Sequence, residues 1–195
     1  NDGVLRAVNG NRSAAIGSAA AGDELWSFMP PEFYGSLKRL YDDTTRINFP
    51  GLPVTAGAVA PKPYGMDGPV SAYRKDSTAW LYASMRRGGR LIYAFDVSSA
   101  SAPTLKWRKG CPNQGDDTGC DTGFEGLGQT WSAPKVMRAS GYGGGNSPLL
   151  IFGGGYDKCE DVDTNSASQA CGSGAKGSGI YVLDADTGAR LQMFA

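Results

Sequence analysis

Residues 177–195 read GSGIYVLDADTGARLQMFA. An apolar run ends in an aspartate, a tight polar turn follows, and a second apolar stretch ends in an aromatic. The same order recurs at 88–107, GGRLIYAFDVSSASAPTLKW, and near the start in DGVLRAVNGNRSAAIGSAAAGDELWSF. Each copy reads as two short strands joined by a turn, so the chain is built on a repeat.

Matching the two fuller copies locates the unit. Pro69 pairs with Pro134, an offset of 65, and Tyr82 with Phe152, an offset of 70. Tyr93 pairs with Tyr181 at 88, and Trp107 with Phe194 at 87. The offset grows only at turns, as expected for a repeated four-stranded sheet with insertions between strands. The reading therefore expects strands near 69–74, 79–85, 90–97 and 104–109, then near 133–139, 148–153, 179–184 and 190–195. The first copy supplies two strands, near 3–9 and 23–29.

The runs WLYA, LIYAF, LLIF and IYVL are continuously apolar rather than alternating, which marks strands buried on both faces. LKWRK interleaves charge, as an outer strand does. Sheets stacked face to face around an axis give this gradient, and the predicted fold class is all-β: a partial β-propeller of about two and a half four-stranded antiparallel blades. Its parts are the last two strands of a blade (1–29), a helix-containing connection (30–66), a blade (67–109), a cysteine loop (110–131) and a second blade (132–195) with a cysteine-bearing insertion at 156–178. Trp26, Trp107 and Phe194 are the expected wedges between blades. PPEFYGSLKRLYDD (30–43) has helical spacing of Phe33, Leu37 and Leu40 and reads as one short helix with its apolar face on the sheets. Arg86-Arg87-Gly88-Gly89 reads as a solvated hairpin tip whose glycines take positive φ. Gly143-Gly144-Gly145 reads as a flexible turn. Because two and a half blades cannot close a ring, the chain is expected to belong to a longer protein.

Nineteen basic and nineteen acidic residues cancel, giving no electrostatic pull towards nucleic acid or an anionic membrane. No apolar run approaches membrane-helix length. The absence of histidine removes Ser-His-Asp chemistry and His-based metal sites from this stretch. The four cysteines form two close pairs, Cys111/Cys120 and Cys159/Cys171, each in a polar loop. Nearest-neighbour disulfides are the expected pairing, with zinc as the alternative; four cysteines allow three connectivities. Disulfides imply export.

The combination GDELWSFMPPEFYGSLKRLYDD, DGPVSAY, RRGGRLIYAFDVSS, TWSAPKV, IFGGGYD and GIYVLDADTGARL resembles the C-terminal propeller of the PilC/PilY family, across the whole chain and in order. The resemblance implies a non-catalytic, exported protein of the type IV pilus, at the pilus tip or outer-membrane surface of a Gram-negative bacterium. It implies roles in pilus assembly, retraction control and adhesion, with minor pilins and a host-surface receptor as partners. Family members carry a calcium loop. The nearest text here is Asp157, Asp161, Asp163 and Asn165, with oxygen ligands at alternate positions. Ser166 stands where the loop's glycine belongs and Gly172 where its bidentate acid belongs, so the segment reads first as a disulfide-tied surface loop and second as a calcium site. Two other functions fit the repeat: a quinoprotein (PQQ-type) dehydrogenase, though no adjacent Cys-Cys pair is present, and an envelope-assembly scaffold without adhesion. The loops 110–126 and 156–178 are the first candidates for partner contact.

Overall fold

The computed structural model describes residues 2–43, 47–48, 60–160 and 175–195. The chain forms β1 (Leu5–Val8), β2 (Glu24–Phe28), α1 (Tyr34–Asp42), β3 (Ile47–Asn48), β4 (Ala60–Pro61), β5 (Val70–Lys75), β6 (Thr78–Ser84), β7 (Arg90–Asp96), β8 (Thr104–Cys111), β9 (Lys135–Arg138), β10 (Pro148–Gly153), β11 (Ile180–Asp184) and β12 (Arg190–Phe194). Among the described residues it is all-β, with one short α-helix. Three antiparallel sheets follow one another: the hairpin β1-β2, the meander β5-β6-β7-β8 and the meander β9-β10-β11-β12. β3 and β4 add a two-residue parallel pair.

The sheets stack, and the central one is covered on both faces. Towards the C-terminal sheet it presents Tyr82, Ile92, Ala94 and Trp107, which meet Leu150, Phe152, Tyr181 and Leu183. Towards the N-terminal hairpin it presents Ala83, Leu91, Tyr93 and Phe95, which meet Leu5 and Phe28. That double burial is why β7 is apolar from Leu91 to Phe95 without alternation.

The three hairpins are repeats at the level of single residues. Each has a register shift at one place: between Ala7 and Val8, between Ala94 and Phe95, and between Val182 and Leu183. In each, the residue that follows accepts a backbone N–H two positions on: Asn9 from Asn11, Asp96 from Ser98, and Asp184 from Asp186. A bulge sharpens the strand's twist and the side-chain oxygen closes the turn, so the asparagine or aspartate after each apolar run has a local structural cause.

This register corrects the sequence matching. Tyr82 faces the C-terminal sheet while Phe152 faces back towards the central one. Ala83, paired with Tyr93, is therefore the counterpart of Phe152, paired with Tyr181. A slip of one residue exchanges the two faces of a strand. Trp26 and Trp107 do occupy one position, opposite Ala7 and Ala94, but its third occupant is Gln192, opposite Val182. Phe194 lies further along β12, opposite Ile180, and is 57% exposed.

Two further expectations change. Phe33 packs on the central sheet, but Leu37 of α1 is exposed, and Tyr41 is almost fully so. The side chain of Leu40, the third residue of the expected apolar face, lies outside the described residues. Arg86 takes the positive φ of the β6–β7 turn, not the glycines. Gly88 and Gly89 are buried, and a Cβ on Gly88 would collide with the Gly65 carbonyl; close backbone approach explains glycine there. At 143–145 the chain turns between β9 and β10, as expected, with all three glycines at positive φ.

Candidate functional site

The turn after β6, the exit from β8 and the connection from β10 to β11 all lie at one end of the stacked sheets. Both cysteine-bearing loops therefore start from the same end, and the structure joins them.

Arg90, first residue of β7 and 3% exposed, organises the loop that follows β8. Its Nε donates to the Leu127 carbonyl at 2.7 Å, and Nη1 to the carbonyls of Asn113 and Asp116. Nη2 donates to the Glu125 carbonyl and to Asp117 Oδ1, both at 2.8 Å. A buried guanidinium needs acceptors for its in-plane donors, and this loop supplies them from its backbone. Cys111 and Cys120 form a disulfide across the same loop. Phe124 and Leu127 then turn inward and join the core between the central and C-terminal sheets, Phe124 stacking on Tyr181. The loop is thus half wedge and half surface.

Lys176 ties the second loop to the first. Its Nζ reaches Asp117 at 2.9 Å and the Glu125 carbonyl at 2.9 Å, and Gly177 N–H donates to the Gly126 carbonyl. The Lys176 ammonium and the Arg90 guanidinium hold the Asp117 carboxyl below its usual pKa. Asp157 accepts the N–H of Cys159 on one oxygen and that of Lys176 on the other, bracing the base of the loop. Cys159 is disulfide-bonded. Cys171, Asp161, Asp163 and Asn165 lie outside the described residues, and so the expected calcium loop does too, apart from Asp157. Among the described residues, the one group with metal-like spacing is Cys111, Asp117 and Cys120. It does not fit an ion: the two sulfurs are bonded to each other, and Asp117 is neutralised by two cations.

Beside the joined loops stands an aromatic and cationic cluster. The Arg86 guanidinium lies 4.4 Å from the Trp131 ring centre, and Arg87 lies 5.6 Å from Trp131 and 5.8 Å from Tyr156. These arginines are therefore not a solvated tip. Arg87 also lines a cleft of about 810 Å³ walled by Phe33, Arg39, Lys62, Tyr64 and Lys158. Glu32, on the same wall, is engaged by Arg108 and by the Tyr93 hydroxyl.

Of the expected wedges, two cross between sheets. Trp26 packs on Phe95 and donates to the Ala100 carbonyl, and Trp107 donates to the Ala185 carbonyl. Sequence reasoning missed Arg90, Lys176 and Trp131, and the ion pairs of Asp117. The one usable signal was Arg90 itself, a charge opening the most apolar strand of the chain.

No family model matches the sequence, and no curated protein matches it. Among solved structures, the crystal structure of the Pseudomonas aeruginosa PilY1 C-terminal domain matches at 19% identity with a TM-score of 0.51. The match covers the whole of this chain and 28% of that one, so this chain spans under a third of its length. The fold is PilY1-like.

Proposed function

We propose that this chain is part of an exported, non-catalytic protein of the type IV pilus, acting in pilus assembly, retraction control and adhesion at the tip. Its stacked sheets are blades of a β-propeller, and the joined cysteine loops are the surface that meets minor pilins. The observation that carries this reading is the fold likeness to the PilY1 C-terminal domain over the full chain. Two features support it. Each sheet covers the next with the same bulged hairpin and, twice, the same tryptophan, the repetition a propeller requires. The Cys111–Cys120 disulfide fits an oxidising compartment. In a propeller, the outer face of the C-terminal sheet, where Met137, Ile180 and Phe194 are exposed, is where a further sheet packs.

The test is fractionation of cells making the full-length protein. The reading expects it in the sheared surface filament fraction, oxidised at Cys111 and Cys120. A reduced protein confined to the cytosol contradicts it.

A further inference from the structure

Two glutamines beside the joined loops each have half of their side-chain amide engaged and half open. Gln129 is 4% exposed, and its backbone pairs in both directions with Tyr156. Its Oε1 accepts the Trp131 indole N–H at 3.2 Å. An indole N–H can only donate, so the amide oxygen must face it and Nε2 is the open end. Nε2 has no partner among the described residues, yet it is not sealed into the core. Gln129 lines both the cleft of about 810 Å³ and a second cleft of about 300 Å³, walled by residues of both cysteine loops. Gln114 is arranged the opposite way. Its Nε2 donates at 2.7 Å to the Gly88 carbonyl, which can only accept, and its Oε1 accepts nothing among the described residues. Gln114 lines the same two clefts.

We propose that the junction of these clefts binds a neutral sugar, with Gln129 donating to its hydroxyl groups and Gln114 accepting from them. The pair selects the ligand by its sense of hydrogen bonding. A carboxylate only accepts and would face the Gln114 oxygen; an ammonium only donates and would face the Gln129 N–H. A hydroxyl does both, and a sugar carries several. A trans peptide group also has one donor and one acceptor, but they point in opposite directions and cannot both turn to one junction. Asn113 and Lys158, exposed on the rim, reach further hydroxyls, while Phe33 and Pro112 give the C–H face of a sugar ring an apolar surface to cover. Both amides are held before a ligand arrives, Gln129 by burial and Trp131, Gln114 by Gly88, so binding orders little that was free. A sugar binds here whether or not the protein belongs to a pilus.

The test uses the full chain and the methyl glycosides of glucose, galactose, mannose, fucose and N-acetylglucosamine, each titrated by saturation-transfer NMR. At least one is expected to bind, with a Kd that holds steady as salt rises from about 0.05 to about 0.5 M, as a neutral ligand requires. Gln129→Glu keeps an oxygen for Trp131 but puts an acceptor where the open donor stands, and is expected to weaken binding at least about tenfold. Gln114→Ala, at a half-buried loop side chain, removes the open acceptor and is expected to do the same. It carries the test should Gln129→Glu prove unstable. Gln192→Ala removes an exposed glutamine of β12 and is expected to leave binding unchanged. No binding of any of these sugars, or binding that survives both cleft variants, overturns the proposal. Tighter, cleft-dependent binding of N-acetylglycine methylamide also overturns it and assigns the junction to a peptide group.

Discussion

The indole of Trp107 leaves its own sheet to donate to the carbonyl of Ala185 in the next, at 3.3 Å, where the Tyr82 hydroxyl donates as well. Trp26 does the same one sheet earlier, to Ala100 at 3.1 Å. The stacking is thus held by a side chain from each outer strand reaching the turn of its neighbour. Trp107→Phe keeps most of the buried ring but loses the donor, and is expected to cost about 1 kcal/mol. Trp107→Ala, which empties the site, is expected to cost about 3–5 kcal/mol in denaturant unfolding. Equal losses would mean that packing carries nothing beyond the hydrogen bond.

Gly188 lies under the same indole with φ at +71°, and a Cβ there would stand 2.7 Å from Trp107 Cδ2. Gly188→Ala therefore meets both an unfavourable backbone region and a clash. A loss of about 1–3 kcal/mol is expected, with a shift in Trp107 fluorescence. A neutral substitution would show that the β11–β12 turn is not pressed against the central sheet.

Asp184 closes the β11–β12 turn. Burial alone would raise its pKa, but donation from the Tyr142 hydroxyl, the N–H groups of Thr187 and Asp186 and the Thr187 hydroxyl outweighs it and holds the carboxyl below its usual range. With a depressed folded pKa, the stabilisation is complete above the unfolded value, near about 3.9, and is lost as pH falls through the folded one. Asp184→Asn is expected to cost about 1–3 kcal/mol near neutrality, with the gap to wild type closing below about pH 4. A gap independent of pH would contradict an ionised Asp184.

Arg90 supplies a different test, because its acceptors are mostly backbone carbonyls. Arg90→Met strands them and is expected to cost about 3–5 kcal/mol. Arg90→Lys, with three donors rather than five, recovers part of that loss. Full recovery by lysine would show that charge, not the fork, holds the loop.

Opening Cys111–Cys120 by double serine substitution is expected to cost about 2–3 kcal/mol through the freed loop. The sheets stay folded, because Phe124 and Leu127 still anchor the loop in the core. Hydrogen exchange is expected to rise at 112–121 while β7 stays protected. Loss of protection throughout β7 would contradict a local role.

Strand positions were legible because apolar runs bounded by glycine, proline and aspartate have one simple reading. β10 was expected at 148–153 and is Pro148–Gly153; β7 was expected at 90–97 and is Arg90–Asp96. Facing was not legible. Matching Tyr82 to Phe152 by letter put two residues with opposite directions in one place, and a connection from β11 to β12 three residues shorter than that from β7 to β8 put the tryptophan position on Gln192. A strand that is apolar on both faces carries no mark in its composition of which residue faces which neighbour. Arg90 and Trp131 escaped for a related reason: their partners are loop carbonyls and the neighbouring turn's arginines, which only folding assembles.

The most direct measurement is piliation after deletion of the gene encoding the full-length protein, counted by electron microscopy and restored in trans. The pilus reading predicts loss of surface filaments and their return on complementation. Normal filaments on deletion cells would contradict it.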